Sequence, residues 1–318
     1  MDVKTPKSIA GMSLGGGRKE NFFFCLLEFF EEKDRWFLTT LKQVRDEDKL
    51  DSDAAITHWV DNYQLKQIIV DFPLTKPTCE SCDLNCPGTE SCHHPVVRGV
   101  RSEIDELMAE DRRLQLENPK RYEQQRNYDD EVHFSKNILD KETTEHILSK
   151  SFKRRLKKGF IPYWNRPVDF WIWKKYYDQI LGTFNLSYDS YGNVSIMLMN
   201  RFHYLLRHFP ADLSLYESNT YVTLLELFRS KVISKKHLIE LDDLNIAPLA
   251  RIQVAKEIEK KLNLFIYEKD LELIAKNPKA FDSFLLAIAG KQLIQNKVEK
   301  ISDFGEKNPP KFVVPLFS

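Results

Sequence analysis

Residues 67–94, QIIVDFPLTKPTCESCDLNCPGTESCHH, hold the densest set of chemistry-bearing side chains in the chain. Cys79, Cys82, Cys86 and Cys92 follow a C-x2-C-x3-C-x5-C spacing, with His93 and His94 directly after. Four thiolates in one short loop suit tetrahedral Zn²⁺, and a closed four-ligand site of that kind is structural rather than catalytic. Pro87 and Gly88 allow the reversal that folds them about one ion, and His93 could replace one cysteine. Four cysteines could also hold an iron–sulfur cluster, though this spacing departs from the familiar runs. Unmetallated, redox-active thiols are a third reading.

Three acids have unusually apolar neighbours. Asp71 ends the run Ile68-Ile69-Val70. Glu217 shares strand parity with Leu213 and Leu215, and Asp282 shares a helical face with Leu285, Leu286 and Ala289. An ionised carboxylate is costly to bury unless it is paired or metal-bound. Three converging acids would hold Mg²⁺ or Mn²⁺, and such ions activate water for in-line phosphoryl displacement. Each acid also has an ordinary explanation. Asp71 could bond turn amides before Pro73, Glu217 could serve the next helix, and Asp282 lies near enough to a helix start to gain from the macrodipole.

Composition bounds these readings. At 318 residues, 42% hydrophobic and 30% charged, the chain is globular rather than disordered and can bury one large core or two ordinary ones. Lys+Arg and Asp+Glu both number 47, so any electrostatic footprint must be a local patch. The clearest patch is KSFKRRLKKGF, where Lys153, Arg154, Arg155, Lys157 and Lys158 precede Tyr163, Trp164, Trp171 and Trp173. Positive charge neutralises phosphates and rings stack bases, which makes nucleic acid the expected partner. The plain alternative is a solvated helix end beside core aromatics. No apolar stretch reaches about 18 residues and the N-terminus lacks a signal-peptide run, so the expectation is a cytoplasmic protein away from membranes. There, clustered cysteines bind metal in preference to pairing, and an odd total of five fits. Gly15-Gly16-Gly17 lacks the Lys-Ser/Thr of a phosphate-cradling loop and reads as a turn.

The elements that must position these groups are legible from periodicity. SIAGMSL, NFFFCLLEFF and RWFLTTLKQV read as three successive strands. DSDAAITHWVDNY reads as a helix capped by Asp or Ser, with Ala55, Ile56, Trp59 and Val60 on one face. The Ile-Ile-Val strand follows. The polar stretch after the cysteines reads as exposed helices interrupted near Pro119. After residue 190 come an apolar helix, the strand ADLSLYES, the helix YVTLLELFRS and a mostly helical region with one start at Ala247-Pro248. The last strong helix, NPKAFDSFLLAIAGKQLIQNK, has Asn277 as cap and Pro278 at its first position, and the tail after it is extended.

Three strands, a helix, a strand ending in Asp, a helix, a short strand ending in an acid and a late helix carrying Asp: this order resembles the RNase H-like fold. More closely, the chain resembles a poorly characterised family of predicted RNase H-like nucleases. The resemblance rests on IAGMSLGGG, IIVDFPL, SLYESNTYVTLLEL, SFKRRLKKGFIP and FDSFLLAIAGKQL, and covers most of the chain outside the polar insert. It implies an α/β fold, a mixed sheet flanked by helices, with residues 1–74 and 190–318 as core and 75–189 as a Cys-cluster and helical insertion. It also implies a metal-dependent nuclease that hydrolyses phosphodiester bonds with Asp71, Glu217 and Asp282. One departure cuts against activity. Ser13 stands where the superfamily's first strand carries its metal-binding Asp. The alternatives are recruitment of another acid, such as Glu28, or a catalytically inactive module that binds nucleic acid or a protein partner.

Overall fold

Aromatic-rich runs near the start of the chain pair edge to edge and begin the sheet on which the first unit is built. The computed structural model describes residues 8–14, 22–46, 50–126, 139, 148–157, 160–186, 188–189, 193–302 and 304–317. In chain order the elements are β1 (Ser8–Leu14), β2 (Phe22–Phe30), β3 (Arg35–Gln43), α1 (Ser52–Asn62), β4 (Gln67–Val70), α2 (Pro95–Glu117), α3 (Pro119–Arg126), α4 (Lys150–Lys157) and α5 (Pro167–Phe184). They continue with α6 (Asn193–Leu205), β5 (Ser214–Ser218), α7 (Thr220–Arg229), α8 (Lys235–Glu240), α9 (Ala247–Lys261), β6 (Leu264–Phe265), α10 (Glu268–Lys276), α11 (Pro278–Ile294) and β7 (Phe312–Val313). The chain divides into two compact units: 1–74 with 192–300 and 310–318, and 75–191 with 301–309. Residues 301–309 thus group with the second unit, whereas the sequence reading assigned them to the core. Phe304 meets Phe170 of α5, ring centroids 5.9 Å apart.

The first unit is an α/β layer structure. Its seven-stranded mixed sheet has the order β6-β3-β2-β1-β4-β5-β7. β1, β2 and β3 are antiparallel neighbours, while β4 pairs with β1 and β5 in parallel. The two-residue edge strands β6 and β7 have too few positions to show a period, so the sequence reading did not include them. Strand pleating sorts β1 onto two faces. Ala10, Met12 and Leu14 join Phe24, Ile68 and Val70 in a core with α1 and α6. Ile9, Gly11 and Ser13 take the other parity, towards α11.

Helix α1 forms because Asp51 accepts from the Asp53 and Ala54 amides at 3.0 and 2.8 Å, satisfying donors a helix start leaves open. Its Ala55, Ile56, Trp59 and Val60 are fully shielded against the sheet. An apolar side chain the size of Ile or Val contributes about 1.5–3 kcal/mol when buried this way. Helix α11 is apolar almost all round, as a helix enclosed on all sides must be. Asn277 caps it by accepting from the Lys279 amide at 2.9 Å. Its approach to β1 is unusually close. A Cβ on Gly11 would land inside the radii of the Ser283 carbonyl oxygen and the Ala287 nitrogen, both backbone atoms that cannot swing aside. Only a glycine lets the helix sit there.

In the second unit, α5 supplies the centre: Phe170, Ile172, Trp173, Tyr176 and Ile180 are buried. Its start is held by the buried Arg166–Asp169 pair at 2.9 Å, and Arg166 also donates to Thr75 Oγ1 at 3.3 Å. Among the described residues no helix is long and apolar enough to cross a membrane.

Two outcomes follow for the first unit. Gly11→Ala overpacks backbone against backbone and is expected to destabilise the fold by about 1–3 kcal/mol in urea unfolding. Lys291 is buried in α11, and burial, then the neighbouring Lys297, pull its pKa from 10.5 to about 8. Between those values the unfolded chain binds a proton that the folded chain does not, so stability rises with pH over that window. Lys291→Met is expected to stabilise the protein at neutral pH by about 1–3 kcal/mol and to remove that rise.

Candidate functional site

The register of three strands sets the acidic centre. Met12 pairs with Val70 and Val70 with Glu217, so the next positions along β1 and β4, Ser13 and Asp71, share a pleat face. Ser13 Oγ donates to Asp71 Oδ2 at 2.5 Å, and the Leu14 amide donates to Asp71 Oδ1 at 3.1 Å. The close seat of α11 on Gly11 then brings the first turn of that helix to the same place. Lys279 Nζ lies 3.0 Å from Asp282 Oδ2 and 3.4 Å from Asp71 Oδ2. An internal ammonium thus bridges two of the three expected acids.

Electrostatics follow from that bridge. Burial works against the Lys279 cation, but Asp71 and Asp282 outweigh it and hold its pKa above the ordinary lysine value. Burial lifts the Asp282 carboxyl, the Lys279 charge pulls it back, and Asp71 lifts it again; the net direction is up. Tyr221, at the start of α7, is raised first by burial and then by Asp282, which places its phenol within the same field. Counting lone pairs, Asp71 Oδ2 is filled by Ser13 and Lys279, and Oδ1 has one bond from Leu14. A metal ion at Oδ2 must displace one of them.

Glu217 does not join this pair. It pairs with Val70, so it carries the opposite pleat parity from Asp71, and its Oε2 accepts from the Leu74 amide at 3.1 Å. It is buried and fixes the chain just after β4. Glu28 cannot replace the missing first-strand acid either. It pairs with Ser8, at the far end of β1 from Ser13, about 17 Å away at a strand rise near 3.3 Å per residue. The residue missed from sequence is Lys279. Its i,i+3 position before Asp282 was the available signal.

The remaining expected residues lie in the second unit. All four loop cysteines are free thiols, as is Cys25, which is buried in β2. Among the described residues, no three His, Cys, Asp or Glu side chains stand together as a ready metal-holding group. The basic run forms α4, whose Phe152 and Leu156 are buried. Lys153 pairs with Asp111 and bonds the Tyr122 hydroxyl. Arg155 pairs with Asp189 and lies over the Trp173 ring at 4.3 Å. Arg154 and Lys157 are exposed, and Lys158 lies outside the described residues, as does Gly15-Gly16-Gly17. Of the aromatics, Trp171 and Trp173 are core, whereas Tyr163 and Trp164 are exposed and meet edge to face at 4.2 Å.

Comparison with protein-family models, curated proteins and solved structures returns no match for this chain. The functional reading therefore rests on geometry.

Removing the Lys279 charge should expose the like-charge pair it neutralises. Lys279→Met is expected to cost about 1–3 kcal/mol at neutral pH, less than a fully buried pair because the lysine is partly open to water. The cost should shrink on mild acidification, because protonating the burial-raised Asp282 removes the repulsion. Urea unfolding at the two pH values checks this. An equal loss at both would contradict it.

Proposed function

We propose that the chain is an RNase H-like module whose acidic centre is closed by its own lysine, and that it works by binding rather than hydrolysis. The order of elements supports the fold half of this reading: three antiparallel strands, a helix, parallel β4 ending at Asp71, parallel β5, and late α11 bearing Asp282. The observation that carries the functional half is the Lys279 ammonium held between Asp71 and Asp282. A two-metal centre needs several anionic oxygens free to coordinate and bridge. Here the first-strand group is a neutral hydroxyl, Glu217 is turned to the Leu74 amide, and the two remaining acids already share a cation.

The same accounting favours a protein over nucleic acid as partner. Lys153 and Arg155 are engaged with Asp111, Tyr122, Asp189 and Trp173, which reduces the phosphate-neutralising capacity of the basic run. In the first unit, Ile239, Leu244, Ile246 and Leu249 are exposed within one stretch, Leu244 by 90%. Grouped exposed apolar side chains rimmed by charge, here Glu240, Asp242 and Asp243, are typical of protein-binding surfaces.

The deciding experiment pairs a cleavage assay with metal titration. Wild-type protein is expected to cleave single- and double-stranded DNA and RNA, with Mg²⁺ or Mn²⁺, no faster than Asp71→Asn. Calorimetry should show no Mn²⁺ binding by wild type and new binding in the Ser13→Asp/Lys279→Ala double variant. Metal-dependent cleavage by wild type that Asp71→Asn abolishes would replace this reading with the nuclease.

A further inference from the structure

The loop from Cys79 to His94, ahead of α2, has little to hold it. From Cys79 to Pro95 no residue is buried, and beyond a single 3-10 turn at Thr78–Ser81 there is no helix or strand before α2. Fixing each backbone residue costs about 1–2 kcal/mol of conformational entropy, and this stretch has no apolar burial to offset it. The Cys79 amide donates to the Pro162 carbonyl at 3.0 Å, and Arg101 bonds the Thr89 carbonyl. Gly88, at φ +96°, supplies a left-handed turn between the third and fourth cysteines.

The donors in this loop suit a soft metal ion. All four thiols are unpaired with one another. Cys82 lines one cleft and Cys92 a second, and the two clefts share Pro95. A dication among these thiols stabilises their thiolate form. His94 adds an independent observation. Its Nδ1 is buried without a hydrogen-bond partner, and the residue lines the same cleft as Cys82. Groups around a metal's ligands orient and tune them, and an unmet imidazole nitrogen beside the thiols is available for that role.

We infer that Cys79, Cys82, Cys86 and Cys92 form a closed, structural Zn²⁺ site that staples the loop. The sulfurs are not pre-assembled at coordination distance. Sites of this type assemble with the ion, and binding is then part of folding. Four S–H bonds lose their protons to solvent and four Zn–S bonds form, with no change of oxidation state. The closed set leaves no position for substrate, so the ion braces the loop and, through the Cys79–Pro162 bond, the turn bearing Tyr163 and Trp164. Iron–sulfur assembly would need iron and sulfide together, on a spacing unlike the familiar ones.

The test uses the full chain, expressed and purified under reducing conditions without chelator. Elemental analysis should give about one zinc per chain, and Co²⁺ exchange should give the absorption of a tetrahedral thiolate site. Cys82→Ser/Cys86→Ser should lose zinc by about tenfold or more while keeping the circular dichroism of the wild type. Should that variant fail to fold, chelation of wild type provides the second readout: cleavage by a Glu-specific protease at exposed Glu80 and Glu90 should accelerate and be reversed by added Zn²⁺. Wild type that carries no zinc and takes up neither Zn²⁺ nor Co²⁺ would overturn the inference, as would stoichiometric iron and sulfide.

Discussion

The backbone of β1 meets the backbone of α11 at Gly11, and the functional geometry depends on that contact. No side chain fits between them, since a Cβ there would collide with Ser283 and Ala287 main-chain atoms. Gly290 repeats the theme one turn along the same face of the helix, where a Cβ would press on Ile9 and Ile69 side chains. The helix is consequently fixed in height and rotation over the central strands. That placement delivers Lys279 and Asp282, from its first two turns, to the end of β4.

What the contact assembles is an ion triad, two carboxylates and an ammonium, capped by a serine hydroxyl and a backbone amide. Removing one partner of such a group costs more than the group contributes net, because a charge is left partly desolvated. This makes the triad self-consistent: each acid is tolerated because Lys279 is there, and Lys279 stays charged because of the acids. A hydrated divalent cation would have to outbid that arrangement, lose the Ser13 bond and do without a first-strand acid.

The sequence made the scaffold legible wherever the signal was local. The Asp51 cap with Ala55, Ile56, Trp59 and Val60 located α1, and Asn277-Pro278 located the start of α11 to the residue. Parity correctly grouped Glu217 with Leu213 and Leu215. Which face that parity meant depended on the register of β5 against β4, which no local pattern encodes. Lys279 is only half legible for a related reason: its pairing with Asp282 is local, but its other partner, Asp71, lies 208 positions away. The same holds for α4, where helical charge read as an open basic face. Its Lys153 is answered by Asp111 of α2 and its Arg155 by Asp189 and Trp173. The adjacency of Asp71 to the cysteines was the strongest invitation to merge two sites, yet the chain passes from one unit to the other between them.

The central claim is that Lys279 occupies the place a catalytic cation would need. The most direct measurement is a crystal structure of the wild-type protein soaked in Mn²⁺, with data collected for the manganese anomalous signal. Lys279 Nζ should lie between Asp71 Oδ2 and Asp282 Oδ2, with no anomalous peak there. A peak coordinated by both carboxylates, with Lys279 swung out to solvent, would contradict it.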